Sequence, residues 1–97
     1  MARPKKWRLV SSEPIITLFS PQGNISKKEQ IVLSVDGLEA LKLSDVEGLE
    51  QEAAAKLMGI SRQTYGRILA KARNIVAKAI VLGKSLKIHG GTYKVIE

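Results

Sequence analysis

The chain has 97 residues, which is room for one domain with tails but not for two separate hydrophobic cores. Its lack of cysteine excludes disulfide bonds, thiol chemistry and zinc held by cysteines, and its single histidine argues against a Ser-His-Asp triad or a histidine-rich metal site. Sixteen Lys and Arg residues against nine Asp and Glu residues give a formal net charge of +7, which favours a polyanionic partner. We therefore expect no catalytic site, no metal and no other cofactor.

The hydropathy of the chain argues against membrane insertion and secretion. No apolar run approaches the ~18–20 residues of a membrane-spanning helix. The N-terminus also lacks the hydrophobic segment of a signal peptide. We expect a soluble, cytoplasmic protein without a membrane partner.

The charge is unevenly distributed along the chain. Residues 1–10 hold four basic side chains and no acidic one, residues 34–61 hold six acidic and two basic side chains, and residues 62–97 hold eight basic side chains against one acidic one. Such an arrangement predicts a polarised molecule in which one surface is strongly basic.

The N-terminal segment is polar and basic as far as about Val10, and we assign residues 1–14 to an N-terminal arm. Pro4 prevents a helix through its centre. The arm is predicted to contact the DNA backbone or minor groove through its basic side chains, as arms that reach around a duplex do. These side chains are Arg3, Lys5, Lys6 and Arg8. The alternative is a disordered, solubilising tail.

Residues 15–35 are predicted to form a short strand and a connection. The β-branched and apolar run Ile15–Phe19 indicates the strand, and the breakers after it end it. Two alternatives stay open for residues 25–35. Their apolar residues are compatible with another strand, whereas Ser26 and Glu29 resemble the capping box that begins a helix.

A helical period begins at residue 36, and we predict a three-helix domain over residues 36–83. The first helix would be capped by Asp36 and end at Gly48, with Leu38, Leu41 and Val46 on one face. The second would run from about Glu50 to Met58, with its inward side chains provided by Ala54, Ala55, Leu57 and Met58. The third would run from Arg62 to about Leu82, between Ser61 as N-cap and Gly83.

The tail, residues 84–97, is predicted to resemble a β-hairpin. Apolar residues alternate on both sides of Gly90-Gly91, a pattern typical of a hairpin turn. The predicted fold class is therefore mainly α, a three-helix helix-turn-helix domain with short β elements near both termini.

The stretch QEAAAKLMGISRQTYGRILA, residues 51–70, fits a helix-turn-helix motif. Ala55 is small where the two helices would cross, and Gly59 permits the positive φ of a tight turn. Ile60 would fill the corner between the helices, and Ser61 would cap the helix whose N-terminal turn enters the major groove.

The third helix has two different faces when it is projected at 100° per residue. One sector is apolar and contains Tyr65, Ile68, Leu69, Ala72, Ile75, Val76 and Ala79. The opposite sector has no acidic residue and contains Gln63, Arg67, Lys71, Asn74 and Lys78, while Arg62, Gly66 and Arg73 lie along one flank. Arg62, Gln63 and Arg67 are predicted to contact base edges, and Lys71, Asn74 and Lys78 to contact phosphates. Gly66 is predicted to allow close approach to the duplex.

These features together predict a sequence-specific double-stranded DNA-binding protein, most simply a transcriptional regulator. A homodimer is expected because helix-turn-helix proteins often bind two half-sites, and because strands in the tail would otherwise leave unpaired edges. Other interpretations of the same features remain open. A basic helix face is often only solvated surface, and RNA recognition lacks an aromatic stacking platform. The alternative function is a protein–protein adaptor that docks an acidic partner of the transcription machinery.

Four segments that follow one another along the chain resemble a known family: Met1–Lys6, Leu38–Leu49, Gly59–Ile68 and Gly83–Gly91. It is the domain-of-unknown-function 134 family, small prokaryotic proteins described as predicted DNA-binding proteins. Its helix-turn-helix is similar to region 4 of sigma-70 factors. The resemblance covers nearly the whole chain and implies four residues on the recognition helix: Arg62, Gln63, Thr64 and Arg67.

Overall fold

A computed structural model describes residues 7–22 and 29–96 of the chain. Within these ranges the helices are α1 (Val35–Leu41), which continues into a π-helical turn (Lys42–Val46), α2 (Gln51–Leu57) and α3 (Arg62–Leu82). The strands are β1 (Arg8–Val10), β2 (Leu18–Phe19), β3 (Gln30–Leu33), β4 (Ser85–Ile88) and β5 (Tyr93–Val95). The predicted fold class, three helices with short strands near both termini, is confirmed. None of the helices in the described ranges is long and apolar enough to cross a membrane.

Local capping residues set the ends of the helices. Ser61 precedes α3, and its Oγ accepts a hydrogen bond of 3.1 Å from the backbone N–H of Thr64. Gly83, at φ 64°, ends α3 in the left-handed conformation, as predicted. The predicted cap of α1 is wrong by two residues: Ser34, not Asp36, accepts from the N–H of Gly37. Ser34 follows β3 in an extended conformation, so the helix begins directly after the strand.

Helix α3 joins two hydrophobic clusters. The first half of α3 packs with α1, the π-helical turn and α2, and the buried members of this helical cluster are Ala40, Leu43, Ala54, Ala55, Met58, Tyr65 and Leu69. Further along α3, Ala72 packs in a strand cluster whose other buried members are Val10, Leu33, Val35 and Ile88. The helix is therefore buttressed by helices at one end and by strands at the other.

Two side chains predicted to face inward are exposed. Val46 is 81% exposed, because the π-helical turn, closed by a 2.9 Å bond from the Glu47 N–H to the Lys42 carbonyl, changes the angular spacing of the residues that follow α1. Leu57 is 53% exposed, because it lies outside the sector of α2 that Ala54 and Met58 share.

The tail does not form a hairpin, so that prediction is wrong. Strand β4 is the centre of a three-stranded sheet, antiparallel to β2 and parallel to β3, whereas β5 pairs in parallel with β1. The pairing of β3 with the tail continues past the strand ends, since the His89 N–H donates to the Leu33 carbonyl and the Val35 N–H to the Gly90 carbonyl. This continued pairing carries the chain onward to β1 instead of reversing it beside β4.

The N-terminal predictions need two corrections. The proposed arm extends too far, because Arg8–Val10 form β1 and Val10 is fully buried. The strand proposed for Ile15–Phe19 is limited to Leu18–Phe19, and Ile15 is 96% exposed. Of the alternatives for residues 25–35, the strand holds for Gln30–Leu33, whereas Ser26 lies outside the described residues.

Candidate nucleic-acid interface

A tight turn joins α2 to α3. Gly59 has φ +67°, a backbone conformation that residues with a side chain rarely adopt. The Ile60 N–H donates a 3.0 Å hydrogen bond to the Ala55 carbonyl. Ala55 is buried where the two helices meet. Strand β1 supports the turn from outside, since the Leu9 N–H donates to the Met58 carbonyl at 2.9 Å. The predicted roles of Ala55 and Gly59 in the turn agree with this geometry.

One face of α3 is exposed along its length. The polar side chains predicted for this face are all exposed: Gln63, Arg67, Lys71, Asn74 and Lys78. On the opposite side Tyr65, Leu69, Ala72 and Ala79 are buried. We call the five exposed residues the polar face of α3.

The polar face keeps its positive charge. Four acidic side chains elsewhere are paired with other cations: Asp45 with Arg73, Glu47 with Lys42, Asp36 with Arg8 and Glu29 with Lys84. Among the described residues no carboxylate forms an ion pair with Arg67, Lys71 or Lys78. These cations are therefore not neutralised by the acidic middle of the chain, and the face presents an anion-attracting surface.

Two residues predicted to contact DNA, Thr64 and Arg62, lie close to other polar groups of the domain. Thr64 is half-buried, and its Oγ1 accepts a 3.0 Å hydrogen bond from the Ser61 hydroxyl, so its side chain belongs to the helix cap. Arg62 is exposed but lines a cavity of about 430 Å³ between α2 and α3, together with Glu50 and Glu52. These carboxylates lower the positive potential around Arg62 relative to the polar face.

The flank of α3 beside Arg62 is held to the preceding helices. The Arg73 guanidinium donates two hydrogen bonds, of 2.7 and 3.1 Å, to the Asp45 carboxylate. The hydrogen bond from Arg73 lowers the pKa of Asp45 below its ordinary value. Arg73 is therefore engaged within the domain, unlike the cations of the polar face.

Gly66 lies against the start of α2. A Cβ atom at this position would lie 3.2 Å from Oε1 of Gln51, the first residue of α2. Gly66 therefore faces the neighbouring helix, and its small size serves the contact between α2 and α3, while its approach to a duplex stays a prediction.

Tyr65 fixes the orientation of α3, a role that the sequence did not reveal. Its ring is fully buried, and its hydroxyl donates a 2.9 Å hydrogen bond to the Ala40 carbonyl and lies 2.5 Å from the Ser44 Oγ. Burial raises the pKa of Tyr65, which keeps the hydroxyl protonated as a donor. The only sequence signal is an aromatic residue within an otherwise aliphatic helix face.

Arg8, the last basic residue of the predicted arm, lies next to the polar face. Arg8 and Lys71 line one cavity of about 240 Å³, and the Arg8 N–H donates to the Thr92 carbonyl at 3.2 Å. The remaining proposed arm residues, Arg3, Lys5 and Lys6, lie outside the described residues. The point at which the chain enters β1 is thus fixed beside Lys71.

Comparison with known proteins identifies the family. Three relatives illustrate the similarity. A UPF0251 protein of Caldanaerobacter subterraneus is 50% identical over 98% of this chain and 81% of its own length. One from Thermoanaerobacter sp. is 48% identical over 100% of this chain and 87% of its own length. A third, from Prosthecochloris aestuarii, is 51% identical over 92% of this chain and 58% of its own length.

No solved structure matches the chain. The family model described as a protein of unknown function, DUF134, matches residues 1–96, which is nearly the whole chain. Together with relatives that are about half identical across most of its length, this match shows that the chain belongs to the domain-of-unknown-function 134 family.

Proposed function

We propose that this protein binds double-stranded DNA sequence-specifically through α2 and α3, acting in the cytoplasm as a transcriptional regulator and not as an enzyme. The observation that carries the proposal is the polar face of α3. It directly follows a tight helix-to-helix turn, it is exposed, and none of its three cations is paired with a carboxylate among the described residues. A helix presented in this way fits the major groove with its N-terminal turns against the base edges.

The residues of the polar face divide by chemistry and by position. Gln63 and Arg67 lie in the first two turns and carry the amide and guanidinium groups that bind adenine and guanine edges. Lys71, Asn74 and Lys78 lie further along α3, where phosphate contacts fix the register of the helix. Arg62 and Thr64 have smaller roles, because one lies beside carboxylates and the other is part of the cap.

The experiment is a selection of bound duplexes from random DNA, followed by binding measurements on the preferred and on a random duplex. Arg67→Ala should cost about 1–3 kcal/mol on the preferred duplex and relax the preference at one base pair. Lys78→Ala should weaken binding to both duplexes alike, because phosphate contacts carry little sequence information. Lys87→Ala is the charge-matched control, since Lys87 is exposed on β4 and, unlike Leu86 and Ile88, does not line the cavity beside α3.

The outcomes separate two classes of function. Both substitutions lie on the exposed side of α3, so circular dichroism should show a folded protein. If a folded Arg67→Ala variant loses affinity equally for both duplexes, α3 acts only as an electrostatic surface. A variant that loses none would favour an adaptor that docks an acidic protein of the transcription machinery.

The N-terminal arm remains a proposed contact with the DNA backbone or minor groove. Deleting residues 2–6 removes Arg3, Lys5 and Lys6 while leaving β1 intact. Binding to all duplexes should weaken, and the salt dependence should flatten by about 0.9 in log–log slope for each lost phosphate contact. If the salt dependence of binding is unchanged by the deletion, the segment is only a solubilising tail.

A homodimer remains the proposed assembly, because paired helix-turn-helix units read half-sites about 34 Å apart. The argument from unpaired edges fails at β4, which is paired on both sides. Sedimentation of the protein alone and bound to its preferred duplex tests the proposal. A monomer in both conditions would contradict it.

A further inference from the structure

A polar cavity of about 240 Å³ opens beside the polar face of α3. Its wall is formed by the start of α1, the entry to β1, the loop before β5 and one flank of α3. The polar and charged groups that line it come from Arg8, Ser34, Asp36, Lys71 and Thr92. Two of these residues are cations that approach from different elements of the fold.

The ion pair inside this cavity is incompletely satisfied. The Arg8 Nε lies 3.9 Å from the Asp36 Oδ2, which is within ion-pair range but too long for a hydrogen bond, and the Asp36 side chain is only 8% exposed. Both the Arg8 Nε and the Asp36 Oδ1 are buried without a hydrogen-bond partner among the described residues. Buried polar groups left in this way are costly, and a bound group that supplies an acceptor would satisfy the Arg8 Nε–H, whereas the Asp36 Oδ1 needs a donor.

The position of Arg8 is fixed from two sides. Its backbone N–H donates to the Thr92 carbonyl, and its guanidinium lies against Asp36 at the start of α1. Gly91 packs so closely on the Asp36 carboxylate that a side chain at position 91 would collide with Oδ1. The Arg8 side chain is 19% exposed, so it still reaches the opening of the cavity.

Lys71 provides the second cation and connects the cavity to the proposed DNA interface. It is exposed, and it follows Arg67 by four residues, so the two side chains are neighbours on the same face of α3. An anion held between Arg8 and Lys71 would therefore lie one helical turn from a side chain proposed to contact bases.

We propose that Arg8 and Lys71 together bind one phosphate of the DNA backbone, with Asp36 as the positioning residue that holds Arg8. The inference rests on the proposed DNA-binding function and adds to it a contact from outside the helix-turn-helix. The planar guanidinium of Arg8 offers a phosphate parallel donors, and Lys71 adds a point charge. The strand entry and α3 would thereby be fixed on the same phosphate.

The test uses a double substitution that leaves the net charge unchanged. Arg8→Ala alone would leave Asp36 buried without a counter-charge, so it is combined with Asp36→Asn. The matched control is Arg73→Ala with Asp45→Asn, which removes another Arg–Asp pair from the other flank of α3. Binding to a random-sequence duplex is measured against salt concentration, and circular dichroism confirms folding.

The expected result is a loss of affinity for DNA that the unchanged net charge of the variant does not predict. The Arg8/Asp36 variant should bind random duplex more weakly, with a log–log salt slope reduced by up to about 0.9, one phosphate contact, while the control pair binds like the wild type. Combining it with Lys71→Ala should bring the total reduction to about 0.9, because both cations bind the same phosphate. Two independent phosphates would give about 1.8.

Several results would overturn the proposal. An Arg8/Asp36 variant that binds like the wild type, or a reduction of about 1.8 in the combined variant, would disprove the shared phosphate while leaving DNA binding intact. A wild-type protein that binds no duplex would overturn both proposals. Inorganic phosphate alone should not raise Tm; a rise that the Arg8/Asp36 variant loses would assign the cavity to a free phosphate ligand instead.

Discussion

The two halves of α3 have different surroundings. In the first half, Tyr65 and Leu69 are buried in the helical cluster, and the cavity of about 430 Å³ beside Leu69 is lined mostly by polar side chains. In the second half, Val76, Ala79 and Ile80 line an apolar cavity of about 440 Å³ beneath the three-stranded sheet, and Ile80 is 75% exposed. The half that carries the proposed base contacts therefore has a buried apolar core with a polar cavity at its edge, whereas the other half faces an apolar cavity.

The largest expected effect comes from removing the aromatic anchor of the first half. Tyr65→Ala removes a fully buried ring and its hydrogen bond to Ala40, and should lower the free energy of unfolding by about 3–5 kcal/mol. Val76→Ala in the second half should cost about 1 kcal/mol, because Val76 is only half-buried. Urea denaturation measures both, and equal losses would show that the two halves are packed alike.

The same substitution, of Ala by Leu, should change the stability of the protein in opposite directions beside the first half of α3 and within its second half. Ala55→Leu places extra methyl groups where α2 crosses α3 and should destabilise the protein by about 1–3 kcal/mol. Ala79→Leu extends a side chain into the apolar cavity and should stabilise it by about 1 kcal/mol. Thermal unfolding gives the sign directly. Destabilisation by both would mean that the second half has no usable space.

The sequence predicted α3 to the residue because its ends are set by local chemistry. Ser61 provides a side-chain acceptor at the N-terminus, and Gly83 provides the left-handed residue at the C-terminus. The N-cap of α1 was misassigned because Ser34 and Asp36 are both good capping residues. Only the pairing of the preceding strand, a tertiary contact, decides between them.

The strands were harder to predict because their partners are distant in sequence. Gly90-Gly91 indicates a turn, but whether β5 pairs with β4 or with β1 depends on contacts about 85 residues apart. Within the candidate site, the 3.6-residue period identified the polar face correctly. The period does not identify the neighbours of a half-buried position such as Gly66. The contacts of Arg8 are with residues distant in sequence, and for this reason the predicted arm extends too far.

A smaller effect concerns the ion pair that holds the flank of α3. The hydrogen bond from Arg73 lowers the pKa of Asp45 in the folded protein, so the pair contributes stability above the ordinary value of 3.8, and this contribution is lost as pH falls through the lowered pKa. Asp45→Asn should therefore reduce stability slightly at pH 7 and flatten its decline in acid. Because the pair is exposed, the change will be small. Urea midpoints at pH 7 and below pH 3.8 measure it; parallel curves for both proteins would contradict it.

The smallest expected effect is at Gly66, where two explanations of one residue predict different results. Gly66→Ala should gain about 0.5–1 kcal/mol from helix propensity, offset in part because the Gln51 side chain must move away from the new methyl group. Stability should thus stay close to that of the wild type, and affinity for the preferred duplex should be unchanged, because the methyl group faces α2. Thermal unfolding and duplex titration of the same sample test both expectations. Unchanged stability with weakened duplex binding would instead place Gly66 against the DNA, and the first half of α3 would then approach the duplex on its α2 flank as well as on its polar face.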